Sequence, residues 1–175
     1  MNRLIRALVI ASLAVWAAPA AAQDLGRFRD WSAHQFTEEG RRFCLMWTQP
    51  KKAEGKYSLR GEVYATVTHR PAQQKFGVVA FEMGYPFAPG KELSVSIDGG
   101  SAIHIPAGED EDSQDESIMW HPSPEVNRSL VGAMRAGLAM VTTGRSKRGT
   151  KTVDTYSLHG FSAAYKAISR ACGAP

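Results

Sequence analysis

The sequence has 175 residues, 43% of them hydrophobic, with 21 Lys and Arg against 17 Asp and Glu. Arg3 and Arg6 lie in a predicted leader, and without these two the charge is 19 − 17, or +2, rather than the +4 of the whole chain. This small excess does not predict a nucleic-acid partner, and a mature chain of about 153 residues is long enough for one domain with a single core.

The first 22 residues have the pattern of a secretory signal peptide. Arg3 and Arg6 precede an apolar segment at 7–18, and small residues follow as far as Ala22. We expect cleavage after Ala22, which leaves a single mature domain at 23–175. A retained membrane anchor is the alternative, but about twelve apolar residues are fewer than the roughly 20 that span a bilayer. No transmembrane segment is expected after the leader.

Alternating apolar residues and turn signals predict about eight short strands. In chain order, these are expected at 28–36, 43–49, 59–69, 76–83, 93–97, 102–105, 138–143 and 150–158, and residues 117–120 could form a further short strand. Residues 51–56 are expected to form a polar loop. The last two strands are expected to form a hairpin around a basic turn.

Two helices are predicted in the C-terminal half. Residues 124–136 carry apolar side chains at helical spacing, and Ser123 is suited to cap the first turn. In the second helix, Phe161, Ala164 and Ile168 mark one apolar face that ends near Cys172. Because strands and helices do not alternate, no parallel sheet is expected. The predicted fold is therefore mainly β, an antiparallel sandwich with two short helices.

The C-terminal hairpin also carries a family resemblance. Its residues Ser146-x-Arg148-Gly149-Thr150-x-Thr152-x-Asp154-Thr155-Tyr156-Ser157-Leu158 resemble the signature of the invasion associated locus B family. Upstream, Arg70-Pro71 and Gly84-Tyr85-Pro86-Phe87 resemble that family at similar spacing. The resemblance implies an exported protein of alphaproteobacteria with an immunoglobulin-like β-sandwich. It also implies an association with host-cell invasion, and hence with virulence, in pathogenic relatives.

The two cysteines are predicted to form a disulfide. Export delivers the chain to an oxidising compartment, and Cys44 and Cys172 allow only one intramolecular pairing. That bond would tie the last helix to the second strand. Two buried free thiols are the alternative, since Cys is among the most buried residue types even when unpaired.

Four cations at the hairpin tip are the candidate binding residues. Arg145, Lys147, Arg148 and Lys151 fall within seven residues and could bind an acidic surface or partner. The alternative is a turn kept soluble by its charge. A third possibility is that the acidic run at 109–116 leans against this turn. For Tyr85-Pro86-Phe87 we expect a plug at the end of the sandwich rather than a partner contact.

The sequence predicts no catalytic residue, metal ligand or cofactor. The acidic run lacks the Gly that an EF-hand needs at its sixth position, and the five histidines show no zinc spacing. Neither a Gly-x-Ser-x-Gly elbow nor a Gly-rich phosphate loop is present. We therefore expect a non-enzymatic protein.

Three kinds of function agree with these observations. The favoured interpretation is an exported envelope protein, periplasmic or associated with the outer membrane, that acts through its surface. The alternative is a small periplasmic hydrolase or metal-dependent enzyme whose site forms only in three dimensions. A third is an inhibitor or chaperone-like module that offers an uncovered strand edge.

Overall fold

The computed structural model describes residues 21–88, 90–106 and 116–175. Within these ranges the chain forms eleven strands, two α-helices and a 3₁₀ turn at Pro71–Gln73. The strands are β1 (Ala21–Phe28), β2 (Trp31–Glu38), β3 (Arg41–Thr48), β4 (Lys52–Gly55), β5 (Tyr64–Arg70), β6 (Lys75–Glu82), β7 (Glu92–Ile97), β8 (Ile103–Pro106), β9 (Ile118–Trp120), β10 (Ala139–Arg145) and β11 (Lys151–Ser157). The helices are α1 (Pro124–Ala136) and α2 (Phe161–Cys172).

The strands form two antiparallel sheets. Sheet A has the order β1-β2-β3-β5-β6-β9, and sheet B has the order β4-β11-β10-β7-β8. The prediction of a mainly β, antiparallel sandwich with two helices late in the chain is confirmed. The helix bounds agree with the prediction, and Ser123 caps α1 by accepting a hydrogen bond from the amide of Val126.

Three predicted segments differ in the structure. The strand expected at 59–69 begins only at Tyr64, as β5. Residues 31–36 of the strand expected at 28–36 belong to β2, and an additional strand, β1, precedes them and pairs with β2 as a hairpin. The chain reverses at Arg29, whose φ of 55° lies in the left-handed region. The predicted loop at 51–56 contains β4, an exposed edge strand held by pairing between Lys52–Gly55 and β11. Its polar side chains gave no alternation from which a strand could be predicted.

One hydrophobic core joins the two sheets and both helices. Helix α2 lies on the inner face of sheet A, where the ring of Phe161 meets that of Trp31 edge-on at 4.9 Å. The Cys44–Cys172 disulfide links β3 to the end of α2, so the predicted pairing is confirmed. Residues 1–20 of the leader predicted at 1–22, and residues 109–115 of the acidic run at 109–116, lie outside the described residues.

Candidate functional site

The basic turn, residues 145–151, is held by its own backbone. The amide of Ser146 donates to the carbonyl of Thr150 at 3.0 Å, and the amide of Gly149 donates to the carbonyl of Ser146 at 2.8 Å. Gly149 has φ of 86°, a conformation that favours glycine. The Arg145 guanidinium also donates to the Gly149 carbonyl across the turn. The cations are therefore carried on a defined hairpin tip.

The four predicted cations have different surroundings in the structure. The ammonium group of Lys147 lies 3.0 Å from the Glu116 carboxylate, and its amide donates to the carbonyl of Pro86. Glu116, the last residue of the acidic run, thus contacts the basic turn. Arg148 is exposed at the tip. Arg145 and Lys151 face each other as a cross-strand pair at the ends of β10 and β11.

Arg145 and Lys151 form one end of a groove on the outer face of sheet B, which we call the basic groove. The groove has a volume of about 450 Å³. It is lined by Gly90, Lys91, Glu92, Ser94, His104, Thr143, Gly144, Arg145 and Lys151. Strand pairing brings these residues together, because Ser94 lies opposite both Thr143 and His104.

The charge of the basic groove is positive. Lys91, Arg145 and Lys151 supply three cations, and Glu92 supplies the single carboxylate. His104 lies on β8 with its Nδ1 3.4 Å from that carboxylate. Such a groove can attract a carboxylate, sulfate or phosphate group, and its three cationic side chains are exposed. Lys91 and His104 come from other parts of the chain, so sequence spacing gave no signal for them.

The Tyr85-Pro86-Phe87 segment plugs the end of the sandwich beneath the basic turn. Phe87 is only 3% exposed, and its ring stacks on that of Tyr85 at 5.6 Å. The Tyr85 hydroxyl lies 2.6 Å from that of Thr152 on β11. The predicted plug is therefore confirmed, and these aromatic side chains are not available to a partner.

A buried ion pair that the sequence did not predict lies beside the plug. Arg60 contacts both carboxylate oxygens of Asp154 at 2.7 Å and donates to the carbonyl of Met83 at 2.8 Å. Its guanidinium also lies 5.1 Å from the centre of the Tyr85 ring. Because Asp154 belongs to sheet B and Met83 directly follows β6 of sheet A, the pair joins the two layers.

His69 and Ser169 form the one contact that resembles a catalytic pair in the described part of the chain. The Nε2 of His69 lies 3.1 Å from the Ser169 hydroxyl, and its Nδ1 accepts a hydrogen bond from the amide of Gly77 at 2.9 Å. Since Nδ1 must be unprotonated to accept, the proton lies on Nε2 and is donated to Ser169. Burial lowers the pKa of His69 to about 4. In this arrangement the imidazole cannot take the serine proton.

The described residues contain neither a cluster of three metal-ligand side chains nor a helix that could cross a membrane. Among residues 21–88, 90–106 and 116–175, no three His, Cys, Asp or Glu side chains are grouped so that they could hold a metal ion. His69 and His104 lie in different sheets. Neither described helix is long and apolar enough to cross a bilayer.

The fold and the disulfide define a class of protein. The chain is a disulfide-linked antiparallel β-sandwich, and a disulfide is typical of proteins outside the cytoplasm. Residues 120–169 match the model of the family described as invasion associated locus B (IalB) protein. The match begins at Trp120, the last residue of β9, and includes α1, the β10–β11 hairpin and most of α2, whereas Arg70-Pro71 and Gly84–Phe87 lie outside it. No curated protein and no solved structure matches the chain.

Proposed function

We propose that this protein is a non-enzymatic envelope protein that is exported by its leader to the periplasm or the outer membrane. There it binds an acidic partner through the basic groove. The observation that carries the proposal is the convergence of Lys91, Arg145 and Lys151 around one groove with a single carboxylate. For this chain we propose a general envelope role, of which host-cell invasion is the form implied for pathogenic relatives.

The geometry of His69 and Ser169 supports the non-enzymatic assignment over the hydrolase alternative. The imidazole is fully buried and is held by the Gly77 amide in the tautomer that donates to Ser169. A serine nucleophile needs a base that accepts its proton. This histidine instead ties α2 to β5, which is a structural role.

The test is capture of partners from an envelope extract by the immobilised protein. A groove variant carries Lys91→Ala, Arg145→Ala and Lys151→Ala. A control variant with the same charge change carries Arg27→Ala, Arg128→Ala and Lys166→Ala, which lie on β1, α1 and α2. We expect the groove variant to lose the bound set and the control to keep it.

Salt provides a second criterion for the same experiment. Capture through exposed cations weakens as ionic strength rises, because the Debye length shortens from about 10 Å at 0.1 M to about 3 Å at 1 M. We expect the captured set to elute with salt rather than with detergent. A groove variant that captures the same proteins as the wild type would refute the basic groove as the binding site.

A further inference from the structure

The two faces of sheet A differ in what covers them. On the inner face, α2 contacts Trp31 through Phe161, Cys44 through the disulfide and His69 through Ser169. Core residues of sheet B and of α1 belong to the same cluster as these inner residues. Because successive side chains of a strand point to opposite faces, the residues next to Trp31, Cys44 and His69 along β2, β3 and β5 point to the outer face of sheet A.

The outer face of sheet A is apolar along most of its width. Apolar pairs lie on both sides of β5, since Phe36 lies opposite Phe43, and Ala80 lies opposite Trp120. Between them, β5 contributes Thr66 and Thr68, which pair with apolar residues of β3 and β6. Its apolar side chains are Phe36, Phe43, Leu45, Trp47, Val78, Ala80, Ile118 and Trp120. All eight are partly exposed, and none belongs to the buried core. Within the described ranges, no helix and no second sheet packs on this face.

We infer that the outer face of sheet A is the interface of a homodimer, in which two copies pack face to face. Its size fits this role. Five strands spaced by about 4.8 Å, with seven or eight residues of about 3.3 Å in the longer ones, give a patch of roughly 600 Å² in projection. Each partner of a standard interface buries about 800 Å² of accessible surface, and a corrugated face exposes more than its projection. The largest apolar patch of a typical monomer is about 300–600 Å² and is often functional, so this face lies at the upper end of that range.

The charges at the two ends of the face favour a second copy as the partner. Arg70 and Lys75 pair at one end of the β5–β6 hairpin, and Glu82 lies at the other end. A two-fold axis that runs across the strands places the basic end of one copy over the acidic end of the other. The rim thus carries both signs of charge, whereas binding to an anionic lipid surface favours a rim of cations alone.

The test uses the full chain, expressed with its leader and purified, and measures its mass in solution by light scattering and sedimentation over a wide range of concentration. We expect a dimer at high concentration. Leu45→Lys, at the centre of the face, should give a monomer with an unchanged near-UV circular dichroism spectrum. Leu59→Lys is the matched control, because Leu59 is 91% exposed and lies outside the face. It should remain a dimer.

Dilution of the wild type provides a measurement that needs no substitution. Trp47 and Trp120 lie in the interface, so their emission should shift to the red as the dimer dissociates. A wild type that is monomeric at every concentration would overturn the proposal. A monomer that floats with anionic phospholipid vesicles would assign the face to a lipid surface instead. A monomer that dimerises only after residues 1–20 are removed would assign it to the start of this chain.

Discussion

Arg60 and Asp154, 94 positions apart in the sequence, form a buried ion pair with two hydrogen bonds of 2.7 Å. The side chain of Arg60 is 4% exposed and that of Asp154 is fully buried. Burial by itself lowers the pKa of Arg60, but the hydrogen bonds and charge of Asp154 outweigh burial and raise it. Arg60 is therefore charged in the folded protein, and its buried guanidinium depends on Asp154 to replace its lost hydration.

Asp154→Asn should destabilise the protein strongly. The substitution keeps the shape of the side chain but leaves the guanidinium of Arg60 buried without its counter-charge. Removal of one partner from a buried pair costs about 3–5 kcal/mol in the free energy of unfolding. Urea denaturation followed by circular dichroism measures this change.

The exposed pair between Lys52 and Glu54 is the control for this prediction. Glu54→Gln should change the free energy of unfolding by only about 0–1 kcal/mol, because solvent screens an exposed pair. Equal losses for Glu54→Gln and Asp154→Asn would show that the Arg60 pair has no special role in joining the layers.

Gly144→Ala should displace the aromatic plug. A Cβ atom at this position would lie 2.6 Å from the Tyr85 hydroxyl and 2.8 Å from the Phe87 ring. Both rings are packed, so the strain cannot be relieved without moving them, and overpacking of this kind costs about 1–3 kcal/mol. The same urea titration, with near-UV circular dichroism as a probe of aromatic packing, detects it.

Gly132→Ala is the matched control, because a Cβ there meets no atom within 4 Å. Gly132 lies inside α1, where Ala is favoured over Gly by about 0.5–1 kcal/mol. This variant should be more stable than the wild type. If Gly144→Ala were stabilising to the same extent, the close contact with the plug would be wrong.

The sequence predicted the parts of the fold that carry strong local signals. The hairpin of β10 and β11 and the two helices follow from apolar period, a capping Ser123 and a glycine-containing turn. The β1–β2 turn was missed because Arg29 adopts a positive φ in a segment without Gly or Pro. Strand β4 was missed because only its backbone pairing with β11 defines it.

The candidate site was predictable only in part, for a similar reason. Arg145 and Lys151 were found because they are close in sequence. Lys91 and His104 join them through pairing between strands of sheet B, which no local pattern encodes. Lys147 was expected to act with them. It instead pairs with Glu116, which lies just before β9 and far from Lys147 in the sequence.

The disulfide should contribute a large part of the stability. Cys44 and Cys172 are separated by 128 positions. Closing so long a loop in the unfolded chain stabilises the folded state by about 4–5 kcal/mol in the chain-entropy model. The double variant Cys44→Ala with Cys172→Ala should lose stability on that scale.

Reductant distinguishes this effect from a simple packing defect. It should lower the urea midpoint of the wild type and leave that of the double variant unchanged. Non-reducing mass mapping should also recover a peptide that joins Cys44 to Cys172. A wild type that is insensitive to reductant would show that the bond adds little stability.

His69 should make the protein less stable in mild acid. Burial lowers its pKa from 6.5 to about 4, so between these values the unfolded chain binds a proton that the folded protein does not. The contribution of His69 to the free energy of unfolding is therefore greatest above pH 6.5. It decreases as the pH falls toward 4, by at most about 3 kcal/mol. Carboxyl groups titrate in the same window, so the His69 contribution must be measured by difference.

Urea titrations at a series of pH values on the wild type and His69→Gln make that difference measurable. The glutamine is expected to lower stability at neutral pH, because it only partly replaces the hydrogen bonds to Gly77 and Ser169. Its stability should then fall less steeply than that of the wild type between pH 6.5 and 4. His159→Gln, at an exposed position, should keep the wild-type slope. Parallel curves for all three proteins would mean that His69 is solvated in the folded state and that α2 does not seal it from water.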